Sequence, residues 1–176
     1  MIESQSQDTN LWHRAIHEAG HAVAALARGI EVLGASLQPG ISPRGIPISS
    51  SCDIDVQCME GESPAHAGKR AMTAYYAGAA AEALLFDECP IKVFRQQKDD
   101  GKNVRNCVEY LRGQGLSDCD VRKCRKHAWE EATCLAKKHM SAISPIALQL
   151  YHRHTLSGPE IEHIVRRIDP TIFENG

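Results

Sequence analysis

Residues Ala15-Ile16-His17-Glu18-Ala19-Gly20-His21-Ala22-Val23 contain the pattern His-Glu-x-x-His. On a helix, positions four apart lie on one face, about one turn from each other. His17 and His21 can then aim one ring nitrogen each at a single metal ion. Glu18 can take a proton from a water held at that ion. The chemistry suggested is metal-assisted hydrolysis. Two imidazoles leave a tetrahedral Zn2+ one protein ligand short, besides an open position for water, so the rest of the chain must supply the third ligand.

The helix that positions this motif is legible in the sequence. Asp8, Thr9 and Asn10 are helix-starting residues, and Gly29 is a natural residue just past a C-terminus. Between them Ile16, Gly20, Val23, Ala24 and Ala27 recur at helical spacing and predict a buried face. Gly20 costs a helix about 1 kcal/mol relative to alanine. That cost makes sense where another backbone or a substrate passes close by.

Three arrangements can supply the third ligand. The metzincin pattern continues with glycine three and histidine six residues after the second histidine. Those positions are Ala24 and Ala27, which excludes that class. A glutamate from a later helix would be Glu82. An aspartate from a later helix start would be Asp99 or Asp100, although helix capping alone can explain one of them. His13 shares a face with His17 and His21, but helical rise puts His13 and His21 about 12 Å apart, too far to close on one ion.

After the first helix, Val32–Leu37 reads as a strand, Gln38–Gly45 as a turn-rich connection and Ile46–Ser50 as a second short strand. Pro47 would confine that second strand to an edge. Residues 51–62, with Asp53, Asp55, Glu60 and Glu62, read as an acidic loop. Ser63-Pro64 starts a helix to about Phe86, whose small residues predict close packing against the first helix. Residues 87–98 read as an irregular connection. From Asp100, Val104, Cys107, Val108 and Leu111 repeat at helical spacing, and Gly113-Gln-Gly115 ends that run. Further helices are expected from about Asp118 to Lys138, from Ser144-Pro145 onward, and after Ser157-Gly-Pro-Glu160, a capping box. The expected architecture is mainly α with a small β-sheet or hairpin. It forms one domain over 1–176, with 1–9 flexible and C-terminal helices over 117–170.

Composition narrows the class. The chain has 176 residues, a net charge of −2, 24% charged residues and 5% aromatics, so its core must be built from Ala, Leu, Ile and Val. No basic stripe points to nucleic acid. The N-terminus lacks a basic segment followed by an apolar run, and Ala71–Phe86 is too short and too polar at Glu82 to span a bilayer. A cytoplasmic location is expected. Seven cysteines (52, 58, 89, 107, 119, 124 and 134) form no Cys-x-x-Cys pair. Reduced thiols are the expectation, ahead of a second, structural zinc site.

His17-Glu-Ala-Gly-His-Ala22 resembles the signature of the FtsH-type zinc metallopeptidases, the proteolytic part of the membrane-bound AAA proteases. Similar stretches follow in the same order: Val32 to Gly40, Ala77 to Phe86, Gly115-Leu-Ser-Asp118 and Thr155-Leu-Ser-Gly-Pro-Glu-Ile161. The resemblance implies an aspartate at a helix start as third zinc ligand. Lys98-Asp99-Asp100 occupies that place. Helical phase from Asp100 puts Val104 where the family has a buried alanine and favours Asp100; an ungapped count back from Gly115 favours Asp99, the alternative. Val93-Phe-Arg-Gln-Gln97 replaces the family's approach to that aspartate, and no phosphate loop of an ATPase module is present. The expectation is therefore a free-standing zinc peptidase with Glu18 as general base. Its substrate would be a polypeptide or peptide, and a separate ATPase or adaptor could deliver it. The competing readings are a non-catalytic zinc-binding interaction module and a metal-free helical domain.

Overall fold

The computed structural model describes residues 2–41, 47–48 and 50–175. Among them the chain is mainly helical, with a small antiparallel sheet. The first helix, α1, spans Ile2–Ala27. It begins well before Asp8–Asn10, because no glycine or proline precedes Gly20 to interrupt it. The chain leaves α1 through Gly29, at φ 62°, the left-handed conformation glycine adopts without strain.

Three strands, β1 (Glu31–Ser36), β4 (Ser51–Asp55) and β5 (Thr155–Ser157), form a small antiparallel sheet in the order β4-β1-β5. Of these, β1 and β4 pack beside α1. β4 corrects the expectation of a loop over 51–62. Cys52 and Ile54 pack against the core while Asp53 between them is exposed, so the acidic residues Asp53 and Asp55 stand on a strand. Ala35 of β1 lies opposite both Cys52 and Leu156. A two-residue ribbon pairs β2, Gly40–Ile41, with β3, Pro47–Ile48. Pro47 thus sits in a ribbon that has only edges. Residues 42–46 and 49 of the expected turn and second strand lie outside the described residues.

α2, Pro64–Phe86, begins where Ser63-Pro64 predicted. The Ser63 hydroxyl accepts from the His66 N–H, and Pro64 occupies the first turn. α2 is the central element, packed on α1 along one side and on α5, Asp118–Lys138, along the other. Its run of small residues permits this. A Cβ on Gly20 would lie 2.8 Å from the Ala77 carbonyl oxygen and 3.1 Å from the Gly78 Cα, so the backbone that passes close to Gly20 is that of α2.

Residues 87–98 are not irregular. α3, Pro90–Gln96, starts at a proline and packs Val93 against Ala79 and Ala83 of α2. α4, Lys98–Gly113, follows with Asp99 and Asp100 in its first turn. α6, Met140–Arg153, contains Pro145 instead of starting at it. Proline there removes the donor to the carbonyl of Ser141 and crowds that carbonyl with its ring; Ser141 is exposed, so water can satisfy the oxygen. α7, Gly158–Ile168, is capped by Glu160, which accepts from the Ser157 N–H at 2.8 Å. A closing 3-10 turn covers Pro170–Asn175. No helix among the described residues is long and apolar enough to cross a membrane. All seven cysteines are free thiols.

Candidate metal centre

α1 carries His17, Glu18 and His21 inward, each 5% exposed, into the contact between α1, α2 and the start of α4. One helical turn apart, the two imidazoles bring their Nε2 atoms to 3.0 Å. The first turn of α4 adds Asp100, whose Oδ2 lies 2.9 Å from His17 Nε2 and 3.2 Å from His21 Nε2. Asp99, next along, is exposed. Thus Asp100, not Asp99, faces the two histidines.

The other ring nitrogens fix what the Nε2 atoms are. His21 Nδ1 donates to the Ala74 carbonyl at 2.8 Å, and a carbonyl can only accept. His17 Nδ1 donates to Glu82 Oε2 at 3.1 Å. In neutral imidazoles with their proton on Nδ1, both Nε2 atoms present lone pairs. With both imidazoles neutral, two lone pairs and a carboxylate oxygen converge in a triangle with no donor among them. A single proton relieves one pair of the three. A divalent cation relieves all of them.

The geometry fits such an ion. Tetrahedral bonds of about 2.0–2.1 Å place neighbouring ligand atoms about 3.3 Å apart, against the 2.9–3.2 Å found here. The donor set, two imidazoles and one carboxylate, is one zinc accepts, and each imidazole has the outer hydrogen bond typical of a metal-binding histidine. Among the described residues, His17, His21 and Asp100 form the group with metal-holding geometry, and no cysteine joins it.

Glu82 sits behind His17 instead of joining the triangle. Its second oxygen accepts from His13 Nδ1 at 3.0 Å, and His13 stacks flat on Phe86, with ring centroids 3.5 Å apart. Gln97, the residue before α4, reaches the same carboxylate at 3.5 Å. The charges are mutually adapted. Burial raises Glu82 and Asp100, but the imidazoles outweigh it and hold both below the ordinary carboxylate range. Burial lowers His17 and His21, yet Asp100 holds both above the ordinary histidine value, so the cluster attracts positive charge. Glu18 behaves oppositely. Burial pushes its carboxyl up, and the nearby imidazoles and a hydrogen bond from Ser50 only partly offset that.

Three features of the site escaped the sequence reading. Gly78 of α2 lies against the imidazoles: a Cβ there would be 2.5 Å from His21 Nε2 and 2.8 Å from His17 Nε2. Only the run of small residues around it hinted at this. Cys52 of β4 lies near Glu18 and Asp100, and burial drives its thiol well above the usual value. The Ala74 carbonyl that holds His21 leaves no trace in side-chain identity. Comparison with known protein families and with curated proteins finds no match for this chain.

Proposed function

We propose that this chain is a zinc-dependent metallopeptidase, with His17, His21 and Asp100 holding Zn2+ and Glu18 acting as general base. The observation that carries the reading is the convergence of three acceptor atoms within 2.9–3.2 Å, with both Nδ1 atoms already committed to other partners. The resemblance of His17 to Ala22 to the FtsH-type signature supports the same assignment.

Zinc, when bound, supplies Lewis acidity that brings a water's pKa toward neutrality and polarises a scissile carbonyl. Glu18 takes the proton from the attacking water as its oxygen bonds to the carbonyl carbon. It delivers that proton to the amine nitrogen as the carbon–nitrogen bond breaks. A carboxyl raised by burial suits both transfers. Ser50 holds Glu18, and Glu82 fixes the His17 ring. β4 forms an edge of the sheet and lies near Glu18 through Cys52, with Ser50 just before it, so an extended peptide can add along it by backbone hydrogen bonds.

Accessible substrates are unstructured segments or short peptides, with folded proteins requiring a separate ATPase or adaptor to deliver them. A cytoplasmic setting suits free thiols. Zinc analysis of purified wild-type, Asp99→Asn and Asp100→Asn proteins tests the ligand set. Wild-type and Asp99→Asn should each bind one equivalent and Asp100→Asn should lose it; equal binding by Asp100→Asn contradicts the assignment.

A further inference from the structure

Apart from the histidine cluster, α2, α3 and α5 border an open cleft of about 310 Å³. Its floor is aromatic. The Tyr76 ring centroid lies 4.8 Å from Phe94 and 5.1 Å from Trp129, and the latter two are 5.9 Å apart. Ile91, 55% exposed, forms an apolar wall. The rim is cationic: Arg122, Arg125 and Lys126 share one face of α5 with Trp129, at helical spacing. Among the described residues Arg122 and Arg125 have no acidic partner, and Lys126 reaches only the exposed Glu130, at 3.7 Å. No carboxylate lines the cleft.

Clustered guanidinium and ammonium groups without an internal counter-ion make the mouth electropositive and attract anions. The aromatic floor favours a flat apolar body, packed edge-on or offset against the half-buried rings of Phe94 and Trp129, with Tyr76 buried beneath them. Arginine binds a carboxylate in bidentate fashion and stacks on rings, so one ligand can use both features. The volume lies at the small end for small-molecule sites. We propose that this cleft binds a small organic acid, an aromatic body carrying an anionic head. The site shares no residue with the metal centre.

The test titrates isotope-labelled full-length protein with 2-naphthoate and follows the indole N–H resonances of Trp129 and Trp12, assigned with a Trp12→Phe variant. Trp12 packs on Tyr151 and serves as the internal control. The expected result is a saturable shift of Trp129 alone, unchanged in Glu18→Gln protein. Neutral 2-naphthamide and cationic 2-naphthylmethylamine should not saturate over the same range. Replacing the exposed Arg122 and Arg125 together by glutamine should weaken naphthoate binding about tenfold or more with the rest of the spectrum unchanged. Equal saturation by naphthamide, unchanged affinity in the double variant, or saturation only by an acidic peptide bearing phenylalanine would overturn the proposal.

Discussion

Glu82 accepts a hydrogen bond from His17 Nδ1 at 3.1 Å, on the side of the ring away from Asp100. Glu82, a candidate third ligand by sequence, thus orients one of the proposed ligands. It also anchors His13, so one carboxylate ties two successive turns of α1 to α2. Partners of this kind fix the tautomer and raise the basicity of a metal-binding imidazole.

Glu82→Gln keeps the size of the side chain and weakens its acceptor. It should lower zinc affinity about 10- to 100-fold, measured by competition with a chromophoric chelator, while helical content stays unchanged. Unaltered affinity would mean that the His17 ring is held by packing alone.

Gly78→Ala should be more damaging to metal binding than its size suggests. Alanine favours a helix over glycine by about 1 kcal/mol, so α2 itself gains. The new Cβ, however, would fall 2.5 Å from His21 Nε2 and must displace the imidazoles. Zinc stoichiometry should drop with the far-ultraviolet circular dichroism intact. Wild-type zinc affinity in this variant would show that the α1–α2 contact is looser than its geometry implies.

Much of the fold was legible because the deciding signals are local. Ser63-Pro64 and Ser157-Gly-Pro-Glu160 carry their own caps, and both helices start where those caps lie. β4 was not legible, since Asp53 and Asp55 masked Cys52 and Ile54, which pack against the core. β5 spans only three residues and owes its form to pairing with β1. Pro145 was read as a helix start because proline favours the first turn, yet α6 begins five residues earlier, at Met140, and carries the proline near its N-terminal end, with Ser141 exposed. At the site, His17 and His21 followed from spacing; a helix start offered Asp99 or Asp100, and the family resemblance favoured Asp100. The tasks of Glu82, Gly78 and the Ala74 carbonyl depend on how α2 crosses α1, a tertiary fact with no local signature.

Stability should depend on pH through Glu62. Its carboxylate accepts from Arg70 Nε at 3.0 Å and Nη2 at 2.9 Å, from His66 at 2.7 Å and from the Met59 N–H at 3.0 Å. Arg70 also donates to the Arg28 and Gly29 carbonyls, clamping α2 to the end of α1. Although burial opposes it, these bonds lower the Glu62 carboxyl from 4.5 to about 2. A depressed folded-state value stabilises the protein above the unfolded value, and that stabilisation is lost as pH falls from 4.5 toward 2. Glu62→Gln should therefore be less stable at neutral pH, by about 3 kcal/mol, because Arg70 is left buried without its counter-charge. The gap should close in acid. Urea titrations of both proteins across that range check it, and a gap independent of pH would assign the loss to packing.

Peptide cleavage by zinc-loaded protein, with Glu18→Gln measured beside it, tests the central claim most directly. An unbiased peptide library read by mass spectrometry avoids guessing the specificity. Wild-type protein should cut it, and Glu18→Gln should bind one equivalent of zinc while losing at least about a hundredfold in rate, the usual contribution of a positioned base. Zinc-loaded Glu18→Gln protein that cleaves at the wild-type rate, or wild-type protein that holds zinc and cleaves nothing, would contradict it.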